Sequence, residues 1–222
     1  MSGPNQPPAH RRGTMSRRAM EHIRAQILDG HYSAGDVIRP ETVGPEIGIS
    51  PTPAREALQA LTTEGFLSLI PGKGFTVDPL TPQDIEDVFT AQQLIAGELA
   101  ARAAQRATPQ DVDELEAIHF EINAAAVRRL VDVVEERNHA FHRHITLLAD
   151  APKLARILAI VTHYVPRSFY GSIEGWPKAS AEDHARIIAA FRSNDADAAR
   201  VAMAEHVAHA GELLAQHIAA QK

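Results

Sequence analysis

The chain has 222 residues, 45% of them hydrophobic and 23% charged, which is enough for one large or two small folded domains. It contains no cysteine, which excludes disulfides, thiol nucleophiles and cysteine-based zinc sites. The net charge of −6 argues against a general nucleic-acid coat, but residues 1–80 carry eight basic and eight acidic side chains, so the acidity lies entirely in the remainder.

The amino terminus combines basic residues with proline, glycine and polar residues, and no apolar stretch follows them. Residues 1–13 are therefore predicted to form a disordered arm and not a secretory signal. No apolar run in the chain approaches the roughly 18 residues that cross a bilayer. We expect a cytoplasmic protein without a membrane span.

Residues 14–78 predict a small domain that begins with two helices. Apolar residues recur with a helical period from about Ser16, and Gly30 supplies the stop. A turn separates this helix from a second, shorter one, which is predicted over residues 40–47 and ended by Gly48.

A third helix and a hairpin complete this predicted domain. The helix is predicted to start where Thr52 precedes Pro53, as an N-cap would, and to stop at Gly65. Two short strands follow at 66–70 and 75–77, joined by a Pro-Gly-Lys-Gly turn. Three helices followed by a hairpin is the order of a winged helix-turn-helix.

In a winged helix-turn-helix the third helix enters the major groove, where base edges present a distinguishable pattern. A lysine between two glycines at the hairpin tip can approach a minor groove or a phosphate. Each charged residue alone is more often a solvated surface charge, but the ordered set favours DNA binding. The predicted contacts are Ser50, Thr52 and Arg55 on the third helix, Lys73 at the tip, and, for phosphates, Arg39, Arg11, Arg12, Arg17 and Arg18.

After a linker at residues 79–81, residues 82–222 predict an antiparallel all-helical bundle, so the chain as a whole is mainly α. The sequence Thr-Pro-Gln-Asp occurs at 81–84 and 108–111, and each copy places a proline and an acid in a first helical turn. Six helices are predicted near 82–106, 109–128, 130–149, 152–171, 179–193 and 195–220.

Nine of the twelve histidines follow residue 118, and three of them lie on three different predicted helices. Facing helices of a bundle can bring His142, His184 and His206 around one cation, and imidazole suits Zn, Ni, Cu or Fe. A lone histidine is more often a surface or hydrogen-bonded residue. We place the others after residue 118 in that class: His119, His139, His144, His163, His209 and His217.

Residues 21–78 resemble the DNA-binding domain of the GntR family, through "EIGISPTPAREALQALTTEGFL" and "PGKGFTV". The resemblance implies a homodimeric repressor or activator on a palindromic double-stranded operator, with the contacts named above at the third helix and the Gly-Lys tip. Two positions depart from the family pattern: Pro51 stands where arginine is usual, and Glu41 where many members have a base. We therefore expect the operator to differ from that of typical members, and its recognition to depend more on Arg55 and the amino-terminal arm.

Residues 82–220 are similar to the FCD ligand-binding domain of the FadR subfamily, and six helices match its VanR-type branch. Members with a metal site have Asp-x-x-x-His on one helix and one histidine on each of the last two. The resemblance therefore implies a divalent transition metal, Zn or Ni first, held by Asn138, His142, His184 and His206.

Asn138 stands where the family has aspartate, so the site lacks that charge and binds metal more weakly or with an anionic ligand, unless Glu135 compensates. The implied effector is a small organic acid. Gln93 is the predicted effector-binding residue; it replaces a common arginine, and Ala96 replaces a common glutamate, which disfavours a simple dicarboxylate.

Tyr164, Tyr170 and Trp176 could line the pocket or belong to the core, and we expect them to belong to the core.

The rival functions are a helical metal-dependent hydrolase and a metal-binding bundle. Neither accounts for the amino-terminal domain, and no HExxH, Gly-Ser-Gly elbow or phosphate loop supports an enzyme. The sequence therefore predicts a ligand-responsive transcriptional regulator.

Overall fold

Residues 9–162, 164–165 and 176–220 are described by the computed structural model. The chain divides between Leu80 and Thr81 into two compact units, and this boundary falls within the predicted linker.

The amino-terminal unit is a winged helix-turn-helix, as the sequence predicts. Its three strands form one antiparallel sheet in the order β1-β3-β2. The buried stripe expected on the third helix is present, because Ala54, Leu58 and Leu61 are fully buried. The elements are α1 (Ala9–Leu28), β1 (Val37–Ile38), α2 (Pro40–Ile47), α3 (Pro51–Thr63), β2 (Leu67–Ile70) and β3 (Gly74–Val77).

The first helix is longer than the sequence analysis predicts. It begins at Ala9 and not near Ser16, so residues 9–13 of the expected disordered arm are helical. Alanine and arginine are good helix formers, and the single Gly13 costs only about 1 kcal/mol relative to alanine. Residues 1–8 of that arm lie outside the described residues.

Two further details of this unit differ from the prediction. The N-cap of α3 is Ser50 and not Thr52, since Pro51 already occupies the first helical turn. The strand β1 was not predicted, because two residues are too few for an alternating pattern. It exists only because its backbone pairs with β3.

The carboxy-terminal unit is the predicted helical bundle. Both Thr-Pro-Gln-Asp segments form complete capping boxes, in which Thr81 and Thr108 exchange hydrogen bonds with Asp84 and Asp111. None of the described helices is long and apolar enough to cross a membrane. The described helices are α4 (Pro82–Ala104), α5 (Pro109–Val127), α6 (Val131–Leu148), α7 (Pro152–Thr162), α8 (Trp176–Arg192) and α9 (Ala196–Ala220).

The fourth and fifth helices of the bundle differ from their predicted bounds. Helix α7 ends at Thr162 and not near residue 171. A helix that continued through Pro166 would bring a proline ring against the carbonyl four residues earlier, which disfavours the longer helix that was predicted. The rest of the predicted span, 166–171, lies outside the described residues. Helix α8 begins at Trp176, three residues early, since Pro177 is tolerated in a first turn.

Candidate metal centre and DNA-binding face

Three histidines from three helices meet inside the carboxy-terminal unit. The ligand nitrogens of His142 on α6, His184 on α8 and His206 on α9 lie within 4.8 Å of one another. The Nε2 atoms of His142 and His206 are 3.1 Å apart. Metal–imidazole bonds of 2.0–2.1 Å place neighbouring ligand nitrogens about 3.0–3.4 Å apart, so this pair already has the required separation.

Burial keeps two of these imidazoles neutral. Desolvation lowers the pKa of both His142 and His184 well below 6.5, and the neighbouring histidines, His206 above all, lower it further. A neutral imidazole has the free lone pair that a metal needs. His142 and His184, two members of the triad formed by His142, His184 and His206, are therefore in their ligand form at neutral pH.

Several buried polar atoms in this unit have no hydrogen-bond partner in the protein. Both ring nitrogens of the fully buried His184 and the side-chain oxygen of Asn138 are buried and accept or donate no hydrogen bond. Phe141 stacks on the His184 ring at 4.1 Å between centroids, which orients that ring. Asn138 lies one helical turn before His142, so a cation beside the triad would relieve these unpaired atoms. The donor set fits a divalent transition metal.

A buried carboxylate touches the triad from the side. Asp183 is 3% exposed and accepts hydrogen bonds from Nδ1 of His206 at 3.3 Å and from Nδ1 of His209 at 2.9 Å; it also forms an ion pair with Arg186. Burial raises the pKa of Asp183, but the hydrogen bonds from the two histidines outweigh it and lower that pKa to about 2.

The sequence analysis did not single out Asp183. Only its position directly before His184 could have drawn attention to it, and that signal is weak. Its contacts with α9 depend on helix packing, which spacing along the chain does not reveal.

The other predicted residues of this unit that the structure describes lie outside the triad. Gln93 is partly exposed, whereas its neighbour Gln92 is buried and donates a hydrogen bond to the Val161 carbonyl at 3.1 Å. Trp176 is buried, as expected of a core residue. The ring of His119 lies 6.0 Å from that of His184, at the edge of the triad. Tyr170 and His163 lie outside the described residues, as does the side chain of His217.

The predicted DNA-contacting residues of the amino-terminal unit are exposed. Ser50 precedes α3, and Thr52 and Arg55 occupy its first turns. Arg55 pairs with Glu41 at 3.2 Å, and Arg39 donates a hydrogen bond to the backbone carbonyl of Lys73 at 3.1 Å. Since Arg39 and Glu41 are two residues apart, these contacts join the hairpin tip, the start of α2 and the start of α3 into one exposed face.

Close backbone packing shapes the hairpin tip. Gly74 has a φ of +123°, and a Cβ there would lie 2.9 Å from the Ile38 carbonyl of β1. Only glycine fits such a close approach of two backbone segments. Lys73, the residue before it, is exposed at the turn. On α1, Arg17 and Arg18 are also exposed. The side chains of Arg11 and Arg12 lie outside the described residues.

One arginine of α1 has a structural role. Arg24 is 2% exposed, forms an ion pair with Glu64 at the end of α3 and lies over the Phe66 ring, 5.5 Å from its centroid. It holds α1 against the start of the sheet and is not available to a phosphate. Counting charges along the sequence does not distinguish it from the exposed arginines.

Comparisons with known proteins agree with both units. The family model described as "Bacterial regulatory proteins, gntR family" matches residues 15–77, and the FCD domain model matches residues 87–209. Escherichia coli K12 has a relative, the HTH-type transcriptional repressor RspR, that is 24% identical over 196 residues, which are 87% of this chain and 86% of that protein.

A second relative and a solved structure extend over similar lengths. The probable D-xylose utilization operon transcriptional repressor of Paenarthrobacter nicotinovorans is 26% identical over 211 residues, 89% of this chain and 87% of its own. The solved structure of E. coli McbR/YncC superposes with a TM-score of 0.68 at 21% identity, covering 91% of this chain and 97% of the other. This likeness shows a shared fold.

Proposed function

Because this chain belongs to the GntR family of bacterial regulatory proteins and carries an FCD domain, we propose that it is a metal-loaded regulator whose DNA affinity responds to a small organic acid. The family and the relatives are DNA-binding transcriptional regulators and not enzymes, which removes the hydrolase alternative. The proposal concerns the metal, the effector, the dimer and the residues involved.

The triad carries the proposal, because three imidazoles meet inside the domain expected to bind an effector, and both ring nitrogens of the buried His184 have no hydrogen-bond partner. A divalent transition metal, zinc or nickel first, would be held by His142, His184, His206 and the oxygen of Asn138. The bound ion would supply a Lewis acid for an anionic oxygen. All four ligands are uncharged, so the charge balance favours an effector with a carboxylate.

The proposed effector contact at Gln93 has less support, since Gln93 is partly exposed while Gln92 is the buried amide of the pair. We propose that Gln93 reaches the effector from the rim of the site. A neutral amide offers one donor group and one acceptor, whereas an arginine offers a bidentate fork. The amide therefore fits a monocarboxylate or hydroxy acid better than a dicarboxylate.

The DNA-binding proposal rests on the exposed face formed by α3, the start of α2 and the hairpin tip. Ser50, Thr52 and Arg55 read bases in the major groove, Lys73 enters the minor groove or binds a phosphate, and Arg39 braces the tip. Two copies in a homodimer would match a palindromic operator, because site symmetry mirrors protein symmetry. The phosphate contacts proposed on α1 are Arg17 and Arg18.

We propose repression, since two relatives are named repressors. The effector then favours the arrangement of the dimer that binds DNA poorly, because a ligand shifts an equilibrium only by its differential affinity for the two states. A regulator of this kind acts on DNA in the cytoplasm.

Metal content tests the central claim. Wild type, the double variant His142→Ala with His184→Ala, and a control carrying His22→Ala with His31→Ala in the other unit are purified in parallel and measured by elemental analysis. We expect one divalent transition metal to copurify with wild type and control and to be lost from the double variant. Equal metal content in all three proteins would reject the site.

A binding series tests the effector. An operator selected from random duplexes is titrated with metal-loaded protein in the presence of a panel of small monocarboxylic, hydroxy and dicarboxylic acids. We expect one acid class to weaken operator binding at least tenfold, and the double histidine variant not to respond. An acid response that survives loss of the triad would place the effector elsewhere.

A further inference from the structure

A buried carboxylate contacts the triad, and this contact has a defined direction. Asp183 accepts a hydrogen bond from Nδ1 of His206, while Nε2 of the same ring faces His142 at 3.1 Å. The two ring nitrogens of His206 therefore face opposite ways, one toward the carboxylate and one toward the centre of the triad.

We propose that Asp183 is the positioning residue of the metal site and supplies the negative charge that the ligands lack. This inference rests on the metal site proposed above. Its hydrogen bond keeps the proton of His206 on Nδ1, so that the lone pair of Nε2 is directed at the ion. Carboxylates that accept from a ligand imidazole in this way orient the ring and increase its basicity.

The proposed ligand set has no negative charge, because an asparagine and three imidazole rings bring none to a divalent cation. A carboxylate one imidazole away compensates part of that charge in a buried environment, where water screens little. Asp183 is buried, whereas its other partners, Arg186 and His209, have side chains that are 51% and 43% exposed. The charge of Arg186 is therefore better screened by solvent than that of the carboxylate beside His206.

The two exposed partners also explain how Asp183 is held. Arg186 lies one turn further along α8, and His209 lies one turn beyond His206 on α9. Arg186 binds Oδ1 of Asp183, whereas Oδ2 accepts from His206 and His209 across the interface with α9. The alternative is that Asp183 only fastens α8 to α9 and has no influence on the ion.

Metal affinity and apo-protein stability separate the two roles. Asp183→Ala removes the charge and the acceptor, and Asp183→Asn keeps the shape and an acceptor oxygen but removes the charge. Glu182→Gln is the matched control, because it removes the neighbouring, exposed carboxylate on the same helix. Zinc affinity is measured by competition with a chromophoric chelator, and Tm is measured separately in EDTA.

We expect Asp183→Ala to lower zinc affinity 10–100-fold, the range typical for loss of such a partner, with Asp183→Asn in between and the control equal to wild type. The visible spectrum of the Co²⁺-loaded protein should shift in Asp183→Ala, which reports a changed ligand arrangement. If Asp183→Asn loses Tm in EDTA but keeps wild-type zinc affinity and an unchanged Co²⁺ spectrum, the carboxylate only fastens helices and the inference is wrong.

The same experiment distinguishes this failure from failure of the proposed function. His206→Ala serves as the reference for a lost ligand. If His206→Ala abolishes zinc binding while both Asp183 variants bind as tightly as wild type, the metal site stands and the role of Asp183 is rejected. If wild type itself binds no zinc, the metal site and this inference are both overturned.

Discussion

Arg55 is the side chain on which base recognition is proposed to depend most, and it is held by a weak interaction. Its ion pair with Glu41 joins side chains that are 57% and 60% exposed. Exposed pairs of this kind contribute little to stability, typically below about 1 kcal/mol. Arg55 can therefore leave Glu41 for a base edge at small cost, while Glu41 keeps the guanidinium oriented until DNA binds.

Arg55→Ala should weaken operator binding while leaving the fold intact. Loss of an arginine that contacts guanine costs about 1–3 kcal/mol, which corresponds to roughly 5- to 150-fold in affinity. Fluorescence anisotropy with a selected operator measures the effect, and circular dichroism checks the fold. Arg128→Ala, in the other unit, is the control. An unchanged operator affinity would count against α3 as the recognition helix.

Pro51→Arg should change the preferred operator sequence. Pro51 is exposed in the first turn of α3, so an arginine there projects from the same end of the helix as Thr52. A new guanidinium can recognise guanine through two hydrogen bonds. Selection from random duplexes with both proteins makes the comparison, and an identical selected motif would show that this position is silent.

Lowering the pH should destabilise the metal-free protein through two buried histidines. The folded state keeps His142 and His184 neutral, whereas the unfolded chain protonates them below about pH 6.5, so the unfolded state gains protons and stability falls as pH decreases. Each histidine contributes up to about 1.4 kcal/mol per pH unit below 6.5, until its folded-state pKa is reached.

Denaturant unfolding in EDTA at pH 7 and pH 5 measures this loss of stability. His142→Gln with His184→Gln should lose clearly less stability between these pH values than wild type does. A pH dependence that is the same in both proteins would mean that other groups cause it.

At the scale of elements, the bundle depends on how closely α4 and α9 approach. Gly97 on α4 lies against α9, where an added Cβ would be 2.9 Å from the Arg200 carbonyl. Gly211 on α9 leaves similar room for Phe89, since a Cβ there would be 2.6 Å from the ring. Both glycines sit inside helices, where they lower helix propensity, so close packing is the reason for them.

Gly97→Ala should therefore destabilise the carboxy-terminal unit by about 1–3 kcal/mol, because backbone atoms of α9 must move to accept the methyl group. Thermal unfolding measures the shift in Tm. Gly13→Ala is the matched control, since nothing lies within 4 Å of its added Cβ, and it should be neutral or slightly stabilising. A Gly97→Ala protein as stable as wild type would mean that the two helices can separate without cost.

At the scale of the whole molecule, the two units have separate physical tasks. The amino-terminal unit exposes arginines, a lysine and hydroxyl groups on one face, and the carboxy-terminal unit buries its polar cluster. If an effector bound to the second unit changes DNA affinity, the coupling is reciprocal, because both ligands act on one equilibrium.

Operator DNA should therefore weaken effector binding by the same factor by which the effector weakens operator binding. Isothermal titration of the effector into metal-loaded protein, with and without saturating operator, provides the comparison. A scrambled duplex of equal length is the control. An effector affinity that does not change when operator is bound would show that the two sites are not coupled.

Local signals in the sequence determined the larger part of this fold. The capping residues Thr81 and Thr108, the glycine at position 48 and the period of apolar residues on α3 act within a few residues, so they can be recognised without tertiary structure. The winged helix-turn-helix and the bundle followed from these signals. The spacing of His142, His184 and His206 gained its meaning from the resemblance to a family.

Only the tertiary structure decided which side chains share an environment. It buried Arg24 against Glu64 and left other arginines exposed, chose Gln92 over Gln93 as the buried amide, and joined Asp183 to His206 across two helices. These outcomes depend on the rotation and packing of whole helices. A periodic pattern defines the face of a helix, but it does not define which residue of another helix lies opposite.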